Sequence, residues 1–314
     1  MILLWGVEDD APMALVRQEL SVRGASAVFL DHTRTLECHI DARFGRAITG
    51  TIDIGSTAIR LEAVGAAYIR PQDFRTFLGS RRRRRESARY RHAALNDDIL
   101  LSWADLTTAL VLNKPAAMAS NGSKPLQATR IRATGFRVPA TLLTTDPGAA
   151  REFVGATGAV IYKSISGVRS IVRRLTPAKE RVLEDVVWCP TQFQEWIEGT
   201  DYRVHVVGSR PFACRILSDD DDYRYGSARI EPCTPPNIVL DRCLKLSREL
   251  DLPLAGIDLR LTPGGEWYCF EVNPSPAFSC FEAAAGHRIA SAIADLLIAA
   301  DERHLRRQRK ATNN

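Results

Sequence analysis

The sequence predicts an α/β (α+β) protein divided into two or three lobes. Three observations lead there. The chain opens as strand, helix, strand; its second half is rich in alternating stretches joined by turn residues; and its composition is that of a protein with a real core. A length of 314 residues buries a substantial interior, and 45% hydrophobic with 25% charged residues is ordinary for a globular chain. No apolar run approaches the roughly 18 residues of a membrane span. The apolar start, Met1 to Trp5, soon meets Gly6, Glu8, Asp9 and Asp10, so it reads as a first strand and not a signal peptide. Seven cysteines without CxxC spacing fit reduced thiols in a cytoplasm. A net charge of +5 is too mild to imply a nucleic-acid partner.

Residues 1–6 form the first strand. Asp9 or Asp10 caps a helix to about Arg23, which Gly24 ends, and residues 26–30 are the second strand. Short extended pieces at 36–41, 47–54, 58–61 and 67–70 complete a small lobe with a partly antiparallel sheet. Residues 81–85 are five consecutive arginines, with Arg75, Arg89 and Arg91 nearby. Such a run is a solvated loop, a dock for an acidic substrate whose carboxylates match guanidinium forks, or, least favoured, a nucleic-acid contact lacking interleaved aromatics.

A helix near residues 97–112 follows. Ser123 or Asn121 then caps a helix with Pro125 in its first turn and Gly135 at its end. Lys124 therefore lies at a helix N-terminus, where a cation opposes the macrodipole unless an anion accompanies it; a simple exposed lysine is the other reading. Asp146-Pro147 opens a helix to about Ala156. Residues 159–164 form an apolar strand that ends at Lys163 before a Ser/Gly loop at 165–170, a common grip on phosphate, although Lys163 also fits a strand-end charge in water.

Residues 191–197 alternate as a strand, Glu198-Gly199 is a turn, and 201–207 with 211–217 make a hairpin closed by Gly208-Ser209. Helices are expected at 237–251 and, as one long element, at 282–307. Between them lies a second hairpin. Ile257, Leu259 and Leu261 share one face of its first strand, with Asp258, Arg260 and Thr262 on the other. Pro263-Gly264-Gly265-Glu266 is turn chemistry and 267–273 the return strand. If Thr262 pairs with Trp267, Asp258 falls opposite Glu271. Facing carboxylates destabilise a ladder unless a hard cation sits between them. Asn273, two residues on, adds a neutral oxygen on the face of Glu271, and such a set suits Mg²⁺. An edge hairpin with solvated charges is the alternative.

Several of these stretches occur in a familiar order. Lys124 before a helix, Lys163 closing a strand, QEWIEG at 194–199, DYRVHVVG at 201–208, DDYR at 221–224, GIDL at 256–259 and FEVNPSP at 270–276 follow one another as in ATP-grasp ligases. The chain resembles the RimK-like glutamate ligases and their relatives, the graspetide (microviridin-type) peptide macrocyclases. NGSKPLQ, GFRVPATLLTTDP, YKSISGVRS and YIRPQDFR lean toward the latter. The likeness covers roughly residues 105–285 well and the first hundred loosely.

The resemblance implies an ATP-grasp fold, with a nucleotide between two antiparallel sheets and an N-terminal α/β domain at 1–115, a lid at 116–190 and a metal-bearing subdomain at 191–314. It implies ATP and two Mg²⁺ ions as cofactors. Lys124 and Lys163 would contact phosphates. Gln194, Glu195, Trp196 and Ile197 would form the hinge that reads adenine, with Glu195 first, and Glu198 would bind ribose. Arg203 and Arg224 match arginines near the γ-phosphate and substrate carboxylate. Asp258, Glu271 and Asn273 match the metal ligands. Two departures stand out: only Gly167 enriches the loop at 165–170, and Ala277 replaces the glycine that usually follows Asn-x-Ser-Pro.

The activity implied is carboxylate–amine ligation through an acyl phosphate on a peptide or amino acid. A macrocyclase forming ester or amide side-chain links is the alternative, then a kinase or a nucleotide-gated regulator. The partners implied are a carboxylate substrate and an amine or hydroxyl acceptor, with an acidic peptide docked near the arginines at 81–85. A homo-oligomer is expected, without membrane or nucleic acid. His32, His39, His92, His205, His287 and His304 are scattered and read as surface or core residues.

Overall fold

The computed structural model describes residues 1–78, 88–164, 172–176, 181–218 and 228–312. In chain order the strands are β1 (Ile2–Gly6), β2 (Ala27–Asp31), β3 (Cys38–Phe44), β4 (Ile48–Ile54), β5 (Thr57–Arg60), β6 (Ala66–Ile69), β7 (Leu110–Leu112), β8 (Thr141–Thr144), β9 (Val160–Ser164), β10 (Arg173–Arg174), β11 (Thr191–Glu195), β12 (Thr200–Val207), β13 (Arg210–Leu217), β14 (Arg229–Pro232), β15 (Leu254–Leu261) and β16 (Trp267–Asn273). The helices are α1 (Ala11–Val22), α2 (Ala88–Leu106), α3 (Pro115–Met118), α4 (Lys124–Ala133), α5 (Pro147–Thr157), α6 (Val182–Asp185), α7 (Asn237–Glu249), α8 (Ser279–Ala285) and α9 (Ile289–Thr312).

The opening lobe carries two sheets rather than one of mixed direction. β2-β1-β6-β7 is parallel, and β3-β4-β5 is a separate antiparallel meander. Asp10 caps α1 by accepting from Met13 N at 3.0 Å. Leu3, Trp5, Ala67 and Ile69 on one face of the parallel sheet pack with α2 and the meander; Ile2, Leu4 and Tyr68 on the other pack with α1 and α9. The last helix thus closes the core of the first lobe.

The helix expected at 97–112 is shorter at its end and longer at its start. It runs Ala88–Leu106, and Leu110–Leu112 are a strand paired in parallel with β6. Lys114 turns back to end the helix, its Nζ donating to Asp105 O at 3.0 Å and Thr107 O at 3.4 Å. The single C-terminal helix is likewise two. Gly286, at φ +65°, ends α8, and Glu282 Oε2 accepts from Ala290 N at 2.7 Å to start α9. The first meander strand begins at Cys38, because residues 32–37 coil as a 3₁₀ turn. Among the described residues no single helix is long and apolar enough to cross a membrane.

Two antiparallel sheets make up the rest: β10-β9-β11-β8 and β14-β13-β12-β15-β16. The first is backed by α5 and α6 through Ala150, Leu183, Val186 and Phe193. The second is backed by α4 and α7 through Ile131, Val239, Cys243, Leu246, Ile257, Leu259 and Cys269. β11 stops at Glu195, two residues short of the strand expected to Ile197, and residues 196–199 carry the chain from one sheet to the other.

Candidate active site

The side of the five-stranded sheet away from α7 carries the expected charges in two cross-strand rows. Arg203 on β12, Asp258 on β15 and Glu271 on β16 pair in one row; His205, Gly256 and Asn273 pair in the next. The pairing of Asp258 with Glu271 holds, but the assumption behind it does not. Trp267 pairs with Leu261, not Thr262, and a β-bulge between Asp258 and Leu259 restores the offset. Phe270 is the extra residue. Cys269 faces the core opposite Leu259, and in an unbroken strand Glu271 would follow it inward. The bulge turns Glu271 out beside Asp258.

Both carboxylates have basic company. Arg203 Nη1 donates to Asp258 Oδ1 at 2.5 Å, and Lys124 Nζ donates to Glu271 Oε2 and to Asn121 Oδ1, each at 2.9 Å. Asn273 Nδ2 bridges Asp258 Oδ2 at 3.0 Å and Glu271 Oε1 at 3.4 Å. Lys124 is the first residue of α4, so the anion that offsets its unfavourable position is Glu271. Burial raises the Asp258 carboxyl; Arg203 opposes this and the charge of Glu271 adds to it. For Glu271 burial pulls upward, and Lys124, helped by Lys163 and Arg203, overrides it and holds the carboxyl low. Lys163, at the end of β9 in the four-stranded sheet, thus shares the electrostatics of this site.

Gly256 is required here by space. A Cβ on it would lie 2.1 Å from Arg203 Nη2 and 2.8 Å from Pro276 Cβ. The guanidinium crosses β15 through the gap that only glycine leaves.

Two buried amides, missed in the sequence, hold the hairpin. Gln127 on α4 donates to Val272 O and accepts from Val272 N, both at 2.9 Å, which pins β16 between Glu271 and Asn273. Asn113 donates to Leu254 O at 2.6 Å and to Pro274 O, and accepts from Leu254 N at 3.1 Å. Arg70, also unforeseen, grips Asp10 through Nε at 2.6 Å and Nη2 at 3.1 Å, and donates from Nη1 to Ser275 Oγ at 2.9 Å. It ties the first lobe to the segment after β16. Nothing in composition or spacing marks an uncharged amide whose partners are distant backbone atoms.

At the hinge, Glu195 N donates to Ala140 O and Trp196 N to Ala159 O, each at 2.9 Å, and Glu195 Oε2 accepts from Ala140 N at 3.0 Å. Gln194 Nε2 reaches Thr141 Oγ1 at 3.2 Å. Ile197 O accepts from Arg260 Nη1 at 2.7 Å, and Arg260 is held by both oxygens of Asp201. The Arg174 guanidinium stacks over the Trp196 ring at 4.1 Å, and Glu198 is exposed. Arg224, the arginines at 81–85 and the loop at 165–170 lie outside the described residues.

Among the described residues no group of three His, Cys, Asp or Glu comes together as a metal site. The candidate set is two carboxylates and an amide, all able to present oxygen to a hard cation. The raised Asp258 beside a low Glu271 is a pair that gains from a cation between them, so the residues fit Mg²⁺.

No family model matches the chain. A probable alpha-L-glutamate ligase of Vibrio cholerae serotype O1 is 24% identical over 201 residues, 59% of this chain and 66% of that protein. The chain therefore spans just under two thirds of the length of the curated relatives it matches. Among solved structures, the macrocyclase MdnC of Microcystis aeruginosa MRC, bound with precursor peptide MdnA, has a TM-score of 0.82 at 22% identity, covering 95% of this chain and 99% of that one. The ligase PsnB complexed with minimal precursor, Mg and ADP has a TM-score of 0.77 at 28% identity, covering 96% of this chain and 98% of that one.

Proposed function

We propose, for a chain that has the ATP-grasp fold, that it is an ATP- and Mg²⁺-dependent ligase that activates a peptide carboxylate as an acyl phosphate. The observation that carries this reading is the row Arg203–Asp258–Glu271 with Lys124 beside it, two facing carboxylates whose charges are offset from both sides.

The substrate carboxylate attacks the γ-phosphorus of ATP, releasing ADP; an amine or hydroxyl then attacks the acyl phosphate, and inorganic phosphate leaves with the loss of one proton from the nucleophile. Two Mg²⁺ ions held by Asp258, Glu271 and Asn273 would neutralise charge on the transferring phosphoryl oxygens. Lys124 at the start of α4 and Lys163 at the end of β9 would hold phosphate oxygens from the two sides of the cleft, and with Lys124 turned to phosphate Glu271 would be free to hold metal. Arg203 offers a guanidinium to charge that develops between the reacting oxygens. Residues 196–199 let the four-stranded sheet close as a lid, which keeps water from the acyl phosphate.

A peptide substrate is favoured because MdnC and PsnB, two solved structures that match along nearly the whole chain, hold precursor peptides. Addition of glutamate is the second reading, favoured by the curated relative. Hydroxylamine trapping tests the proposal: with MgATP and acidic peptides, a ligase yields a peptide hydroxamate. A phosphorylated hydroxyl without hydroxamate would make it a kinase, and nucleotide binding without turnover a regulator.

A further inference from the structure

His205 is wholly buried, at 0% exposure, and its Nδ1 has no hydrogen-bond partner among the described residues. It follows Arg203 by two residues on β12, so both side chains rise from the same face. Arg203 Nε lies 3.4 Å from His205 Nε2. A guanidinium has donors and no acceptor, so the imidazole must offer a lone pair at Nε2 and carry its proton at Nδ1. That is the less common neutral tautomer, and it leaves a buried N–H orphaned. An apolar side chain would fill the space beside Phe281, whose ring packs edge-on at 5.0 Å, without that cost.

We propose that His205 is a positioning residue for Arg203: its uncharged imidazole, fixed as the Nδ1–H tautomer, accepts the Arg203 Nε–H and aims the fork at Asp258 and the cleft. The rest of the seat agrees. Gly256, directly across from His205, leaves the gap that the guanidinium occupies, and Phe281 lies 5.8 Å from Arg203 Cζ. Nη1 then meets Asp258. Without the acceptor, the Nε–H of this buried cation loses its partner on its own strand, and the aim of the fork loosens. The role assigned to the aimed guanidinium rests on the ligase reading; the tautomer does not.

Two measurements test it. Nitrogen-detected NMR of ¹⁵N-histidine protein reads the tautomer directly in the unmodified chain. His205 should show protonated Nδ1 and bare Nε2, and the proton should move to Nε2 in Arg203→Met. A Nε2–H or doubly protonated ring in the wild type overturns the proposal, whatever the activity. The second uses peptide hydroxamate formation together with MgADP affinity. His205→Leu should lower kcat about 10- to 100-fold with nucleotide Kd within twofold. His205→Gln, whose amide oxygen can take the place of Nε2, should recover most of the loss. A Leu variant as active as wild type, or Leu and Gln variants equally impaired, shows a core-filling role and overturns the proposal. No hydroxamate from the wild type contradicts the ligase reading instead, and leaves the tautomer to decide the positioning.

Discussion

Asp258 and Glu271 stand side by side on the cleft face because Phe270 is bulged out of the ladder between their pair and the pair Leu259–Cys269. The arrangement is unfavourable as bare electrostatics and is held by Lys124 and Arg203. A site with these features has measurable consequences.

Glu271→Ala should abolish turnover and leave the fold intact. The variant loses a part-buried ion pair with Lys124, whose side chains are 33% and 26% exposed, worth about 1 kcal/mol, and also loses a repulsion with Asp258. Its melting temperature should stay within a few degrees of wild type. Asp258→Asn should hurt activity less, because an amide oxygen still coordinates. Wild-type turnover in Glu271→Ala would remove the metal assignment.

Metal should also register in stability. MgADP at about 100 times its Kd stabilises by roughly 2.7 kcal/mol through binding the folded state alone. Differential scanning should show that gain in wild type, lose most of it with EDTA present, and show no EDTA-sensitive part in Glu271→Ala. An EDTA-insensitive gain in wild type would mean that the nucleotide binds without the ion.

Gln127→Ala should be costly out of proportion to its size. It leaves the backbone N–H and C=O of Val272 buried without partners, at about 2–6 kcal/mol together. Denaturant unfolding measures this, and a loss under about 1 kcal/mol would show that the pair finds other partners. Gln127→Glu should fall between, since it keeps an acceptor for Val272 N.

Arg203→Lys should not be conservative. An ammonium can reach Asp258, but it cannot also meet His205 through a second, rigidly placed donor. We expect kcat to fall at least about tenfold with MgADP affinity little changed, because the loss falls on the transition state. Equal kcat in the two proteins would show that charge alone suffices.

The parts of this site that were legible in the sequence are those that charge and alternation write into adjacent residues. Asp258, Glu271 and Asn273 declare themselves because carboxylates do not belong opposite one another, and Lys124 because a cation does not belong at a helix start. The pairing of Thr262 with Trp267 failed because a bulge is a backbone event, and nothing about Phe270 as a residue announces one. Gln127, Asn113 and Arg70 were invisible because their partners are backbone atoms or residues far off in the chain. β7 was absorbed into a helix since three residues carry no period, and its partner β6 lies some forty residues earlier. His205 was read as a surface or core residue; it is buried, and its contact with Arg203 needed the strand's partners in register.

The most direct test of the central claim follows oxygen. Peptide carboxylates labelled with ¹⁸O should deliver one labelled oxygen to inorganic phosphate for each amide or ester formed, because that oxygen becomes the bridge of the acyl phosphate and leaves with phosphorus. Mass spectrometry of the released phosphate reads it. Singly labelled phosphate in step with product is the result this account predicts; unlabelled phosphate with product formed would contradict it.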